Sequence, residues 1–107
     1  MSEGNPVERR ITLMRNYELL VVLQPDLDET SLADITKKID GWVTEAGGKV
    51  EKTDNWGKRR LAYHIRKQRE GQYILFLLTM QPSATTELER NMRFLEPVMR
   101  HLLTLAD

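Results

Sequence analysis

No cysteine occurs among the 107 residues, which excludes disulfides, thiolate metal sites and cysteine nucleophiles and accords with a reducing compartment. Long apolar runs are missing as well. The longest, Leu19 to Leu23 and Tyr73 to Leu78, fall far short of the ~20 residues that a membrane-spanning helix requires, so no membrane partner is expected. The N-terminal stretch lacks an apolar segment followed by a small-residue cleavage site, and the expected address is cytoplasmic. Only two histidines are present, His64 and His101. Neither has a Ser nucleophile or a His-Glu spacing beside it, which argues against an enzyme, a metal or a cofactor. An excess of charge of one sign is also absent, since 16 Lys and Arg balance 16 Asp and Glu.

That balance hides an asymmetry. Residues 16–48 carry a net charge of −5 and residues 49–69 carry +6. Six cations, Lys58, Arg59, Arg60, Arg66, Lys67 and Arg69, fall within twelve positions, interleaved with Leu61, Tyr63 and Ile65. One or two charges suffice to keep an edge strand from aggregating. Six beside a single acid, Glu70, repel one another unless an anionic partner relieves them, and a local cluster in a neutral protein points to one anionic surface rather than to polyanions in general.

The order of elements follows from periodicity. Residues 1–13 are polar, hold Gly4 and Pro6 and are expected to form a flexible N-terminal extension to a single domain over 14–107. Tyr17 to Leu23 reads as a strand buried on both sides or nearly so. Leu32, Ile35, Ile39, Trp42, Val43 and Ala46 recur at helical spacing, which predicts a helix over 32–46 with Ser31 able to cap it, acids in its first turn, and Gly47-Gly48 as its stop. The pair Asp26 and Asp28 fits this helix start better than a cation site.

Lys49 to Lys67 reads as a long, bent strand in which Gly57 invites a bulge and Leu61, Tyr63 and Ile65 share one face. Lys67 to Gly71 is predicted as the turn, and Tyr73 to Met80 as the returning strand of a hairpin. Ser83 is expected to cap a second helix carrying Leu88, Met92 and Leu95, ended by Pro97, before a last strand from Val98 to Leu105. The expected fold is α+β: a ferredoxin-like βαββαβ two-layer sandwich, with antiparallel sheet order 4-1-3-2 and two helices on one face. The central strands offer more apolar side chains than one helix layer can cover, which suits a protein partner on the open face or edge.

Met14-Arg15-Asn16-Tyr17-Glu18 before an apolar strand, Pro25-Asp26-Leu27, Gly48-Lys49-Val50 and, most specifically, Trp56-Gly57-Lys58-Arg59-Arg60-Leu61-Ala62-Tyr63-His64-Ile65 closely resemble the family of the bacterial small-subunit ribosomal protein numbered six. The resemblance runs from about Arg15 to Leu105. It implies a structural, non-enzymatic RNA-binding protein of the small ribosomal subunit. It further implies binding to the central domain of small-subunit ribosomal RNA together with the neighbouring ribosomal protein eighteen, in support of platform assembly. Many members have proline at the position of His64, most begin near Met14, and some carry a long acidic tail that is missing after Asp107.

Arg15, Lys58, Arg59, Arg60 and Arg66 are the candidates for RNA contact, because guanidinium groups fork onto phosphate oxygens. Strand alternation points Arg59 and Arg60 in opposite directions unless Gly57 distorts the strand. Trp56, Tyr63 and His64 are the candidates for contact with the partner protein. For Tyr63, stacking on an unpaired base is an alternative, and its sharing of a face with Leu61 and Ile65 predicts a core position with the hydroxyl near the surface. The competing function is a ferredoxin-like regulatory ligand-binding or protein-interaction domain, which would need a glycine-rich loop after the first strand. An acyl phosphatase would need an anion cradle there. The loop present, Gln24-Pro25-Asp26-Leu27-Asp28, repels anions.

Overall fold

Alternating side chains of the strand β1 (Arg15–Leu23) set the two faces of the sheet: Leu19, Val21 and Leu23 are fully buried against the helices, while Glu18, Leu20 and Val22 point to the opposite face. The computed structural model describes residues 14–107, so the expected N-terminal extension over 1–13 lies outside the described residues. Helix α1 (Glu29–Glu45) buries Ile35, Ile39 and Val43. It starts three residues earlier than its apolar period predicts, because Asp28 and not Ser31 is the cap: Asp28 Oδ1 accepts the Ser31 amide at 2.8 Å. That bond holds the Asp28 carboxyl below the usual carboxylate range. Gly47, at φ 85°, ends the helix. The Gly47 amide donates to Thr44 O and the Gly48 amide to Val43 O, the paired bonds that satisfy the last carbonyls of a helix closed by a left-handed residue.

Strand β2 (Lys49–Ile65) and strand β3 (Gln68–Met80) form one long hairpin. β2 slips register between Val50 and Lys52 and between Asn55 and Gly57, and Gly57, at φ 80°, makes the expected bulge. The turn is tighter than the predicted Lys67 to Gly71. Arg66 and Lys67, at φ 51° and 65°, join Ile65 to its partner Gln68, so both central residues take the left-handed conformation that two-residue hairpins demand. Gly71 belongs to β3, where a Cβ would stand 2.7 Å from Val22 Cγ1 and 3.2 Å from Leu23 O. It is glycine because the hairpin crosses the end of β1 there.

A short 3₁₀ turn (Pro82–Ala84) precedes helix α2 (Thr85–Met92), which buries Leu88 and Met92. Neither is capped by a side chain, so Ser83 does not play the expected part: Pro82 opens the turn and the Ala84 amide donates to Gln81 O. Strand β4 (Val98–Leu105) completes a wholly antiparallel sheet of order β2-β3-β1-β4, the expected order read from its other edge. One core cluster, centred on Phe76, Leu19, Ile39 and Met92, joins the two helices to one face of the sheet.

Strands β1 and β4 are clasped where the chain ends. Asp107 accepts a hydrogen bond from Arg15 Nε through Oδ2 and one from the Asn16 amide through Oδ1, and the Ala106 amide donates to Asn16 O. Both bonds to the carboxylate hold Asp107 below the usual carboxylate range, the Arg15 bond contributing most. A carboxyl depressed in the folded state stabilises above its unfolded pKa and loses that contribution as the pH falls through the depressed value. Asp107→Asn is therefore expected to lower the melting temperature slightly at neutral pH, as an exposed pair does, with the difference vanishing in acid. Paired thermal melts across pH check this; a constant offset at every pH would remove the ionic clasp.

Candidate nucleic-acid interface

Beyond the pair Leu23 and Gln72, β3 has no β1 residue on its other side, so the end of the hairpin extends past the body of the sheet. The described chain measures 57 × 26 × 22 Å. Lys58 pairs with Gln72 at that last rung, and beyond it Arg59 pairs with Gly71 and Arg60 with Glu70. Gln72 is anchored inward, its side-chain amide donating to Pro25 O and Leu27 O, which fixes Lys58 in register with the loop after β1.

Lys58, Arg59, Arg60, Lys67 and Arg69 are exposed. The ion pairs among the described residues are Arg15 with Asp107 and Lys49 with Glu51, with His101 beside Glu89 forming one only when protonated, so no carboxylate of the described residues neutralises any of those five cations. Even Glu70, opposite Arg60, forms no ion pair with it. Such crowding is stable only because solvent, or an anionic surface, screens it.

Alternation holds for the two arginines. Arg59 lies on the open face of the sheet, its guanidinium carbon 5.4 Å from the centroid of the Trp56 ring. Trp56 stacks in turn on Tyr73, with centroids 6.2 Å apart and planes inclined by 12°, and its indole N–H donates to Asp54. Arg60, one position on, alternates away from Arg59 and lines a shallow hollow with Leu61, Ala62, Tyr63, His64 and Arg69. The Gly57 bulge precedes both arginines and does not bring them to one side.

The remaining candidates lie apart from these. Arg66 donates to Glu96 O at 2.9 Å and Val98 O at 3.0 Å, which ties the turn to the start of β4. Arg15 sits at the opposite end of β1, opposite Met80 and bound to Asp107. Tyr63 is not a core residue: it is 57% exposed. It does share a face with Leu61, but that face belongs to the open side of the sheet, where no helix covers it. Leu61 is buried because the hairpin end curls over Val22, which keeps only 6% of its own surface.

Arg100, missing from the candidates, is brought to this place by the β1–β4 register, which sets it opposite Val22; its guanidinium carbon lies 5.8 Å from the Tyr63 ring. A sheet order with its register would have found it, whereas composition and local spacing hold no signal for it. No group of three or more His, Cys, Asp or Glu side chains among the described residues could hold a metal ion.

The fold is a four-stranded ferredoxin-like sandwich with two helices on one face, and its hairpin carries exposed cations that form no ion pair among the described residues. A model of the ribosomal protein S6 family matches residues 16–104. The chain is 41% identical over 94 residues to the small ribosomal subunit protein bS6 of Moorella thermoacetica, covering 88% of this chain and 96% of that protein. It is 45% identical over 87 residues to the protein of the same name from Streptomyces coelicolor, covering 81% and 91%. The crystal structure of 30S ribosomal protein S6 from Thermotoga maritima superposes with a TM-score of 0.81 over 87% of this chain and 88% of that one, at 24% identity, and bears on the fold alone. The chain belongs to the ribosomal protein S6 family. It is accordingly a non-enzymatic structural protein of the small ribosomal subunit, and is located with the ribosome in the cytoplasm.

Proposed function

We propose that the chain binds the central domain of small-subunit ribosomal RNA through the cations of its β2–β3 hairpin, together with ribosomal protein eighteen, and supports assembly of the subunit platform. The observation that carries this reading is the set Lys58, Arg59 and Arg60, exposed along the hairpin and paired with no carboxylate among the described residues. Arg66 contributes by holding the turn, and Arg15 reaches RNA only by leaving Asp107. The protein partner takes the open face, where Leu20, Leu75 and Leu77 are half-buried and Leu102 is exposed. Trp56 and Tyr63 stand at the margin of that face, and His64 shares a shallow hollow with Tyr63 and Arg60. A regulatory ligand domain finds no support in the loop after β1, whose Pro25 and Leu27 carbonyls are already occupied by Gln72.

Retention of a central-domain RNA fragment, measured over a salt series with and without the partner protein, tests the proposal. The isolated chain is expected to bind weakly, with log affinity falling by about 0.7–0.9 per phosphate neutralised for each tenfold rise in salt, and the partner to tighten binding. Tight binding by the chain alone with no salt dependence would overturn the reading.

A further inference from the structure

The part of the sheet that carries the cations is also its least regular part. After the pair Arg60 and Glu70 the ladder resumes only at Ile65 and Gln68, so four residues of β2, Leu61 to His64, are set against Arg69 alone in β3. A ladder interrupted in this way bends, and it does not by itself fix the turn relative to the body of the sheet. One side chain supplies the anchor. Arg66 Nη1 donates to Glu96 O at 2.9 Å and Nη2 to Val98 O at 3.0 Å, 30 and 32 residues further along the chain. We propose that Arg66 is a positioning residue for RNA binding: it holds the hairpin end in the shape in which Lys58, Arg59 and Arg60 meet phosphates, and does not itself grip one. The proposal rests on the RNA-binding reading above, and it divides the cations of the hairpin into those that touch RNA and one that sets them in place.

A phosphate is gripped by the planar fork of a guanidinium, and in Arg66 both terminal nitrogens of that fork already donate to main-chain carbonyls. Lys58, Arg59 and Arg60 differ: they are exposed and form no ion pair among the described residues. They are strung between two anchors. At the base, Gln72, the partner of Lys58, donates to Pro25 O and Leu27 O; at the tip, Arg66 reaches the start of β4. Arg66 does so from a left-handed backbone, at φ 51°, a conformation that a long side chain keeps only where its surroundings hold it. The choice of acceptor has a consequence for binding. Like charges crowded on an interrupted ladder push the hairpin end away from the sheet, and a carboxylate anchor would oppose this only by competing with phosphate for the same cations. Main-chain carbonyls restrain the turn and leave the neighbouring charges available.

Arg66→Ala and Arg66→Lys are made in the full chain and titrated, with ribosomal protein eighteen, onto the central-domain RNA fragment over a salt series. Lysine keeps the charge and would still meet a phosphate, but it replaces the fork by a single nitrogen. Both variants are expected to bind about fivefold to tenfold more weakly, because only chains whose hairpin end is in place bind, while the slope of log affinity against log salt stays unchanged. Hydrogen exchange is expected to speed at the amides of residues 61–69 and to stay as it was at Ile35, Ile39 and Val43, with the melting temperature lowered by no more than a few degrees. A lysine variant at full affinity, beside an alanine variant whose slope falls by about 0.7–0.9, makes Arg66 a phosphate contact; that overturns the proposal and leaves the RNA reading standing. Full affinity in both variants overturns it as well. A loss of binding that only follows a loss of folded protein, seen as a large fall in melting temperature, assigns Arg66 to stability and does the same. Should the unaltered chain with its partner fail to bind the RNA, the RNA reading falls and takes the positioning role with it.

Discussion

Alanine at both Arg59 and Arg60 is expected to weaken binding to ribosomal RNA by about tenfold to thirtyfold near 0.15 M salt, with a fall in melting temperature of no more than a few degrees. The size follows from counterion release: leaving two phosphates without a guanidinium removes about 1.8 from the slope of log affinity against log salt, and at that concentration each neutralised phosphate is worth roughly fivefold. Stability is spared because neither side chain is buried and neither closes an ion pair among the described residues. Arg59 gives up its place over Trp56, about 0.5–1 kcal/mol at an exposed site, and relief of repulsion along the hairpin offsets part of this. The two single variants separate the faces of the hairpin. Arg60→Ala reports the hollow it shares with Tyr63, His64 and Arg69, and Arg59→Ala the place over Trp56. Filter retention beside thermal melts decides the matter: a loss of binding matched by a large fall in melting temperature would assign these guanidiniums to structure.

The outline of the fold is legible in the sequence because the sheet segregates its apolar residues by strand. Leu19 to Leu23 and Tyr73 to Leu78 are the most apolar runs in the chain, and the strands that contain them are the two central ones. Depth is less legible than direction. Alternation puts Leu61 and Tyr63 on one face, and they do share it, yet period alone cannot tell a helix-covered face from an open one. Val22 shows the converse, an open-face residue buried by a hairpin that bends onto it. Glycine misleads for a similar reason. Gly71 has the look of turn chemistry, whereas its small size serves a close approach to Val22 and Leu23, and the real turn uses Arg66 and Lys67, whose side chains give no hint of a left-handed backbone. The Arg15 clasp is invisible in the sequence because Asp107 lies 92 residues away and meets it only once β1 and β4 pair.

Gly48→Ala is expected to produce the largest loss of stability from a single added methyl group. A Cβ at this position would stand 2.5 Å from Thr79 O, 2.9 Å from Met80 Cβ and 3.2 Å from Val43 Cγ1. None of these can yield cheaply. Thr79 and Met80 belong to β3, where both pair with β1 and Thr79 also pairs with Lys49 of β2, and the Gly48 amide itself is fixed to Val43 O at 2.9 Å in closing α1. Relief of the clash therefore requires either opening the helix end or shifting a central strand, and overpacking of this kind costs about 1–3 kcal/mol or more. At roughly 4–8 °C per kcal/mol for a domain near this size, the melting temperature is expected to fall by about 4–24 °C. Gly41→Ala is the internal comparison. It lies on the exposed side of α1 with nothing within 4 Å of a Cβ, and alanine there is expected to add about 0.5–1 kcal/mol through helix propensity. Opposite shifts from the same chemical change, read in one set of melts, would locate the constraint in the junction between helix and sheet. Equal and small effects at both positions would show that the junction can open without cost, and that the close approach of Gly48 to β3 is not what holds the first helix to the sheet.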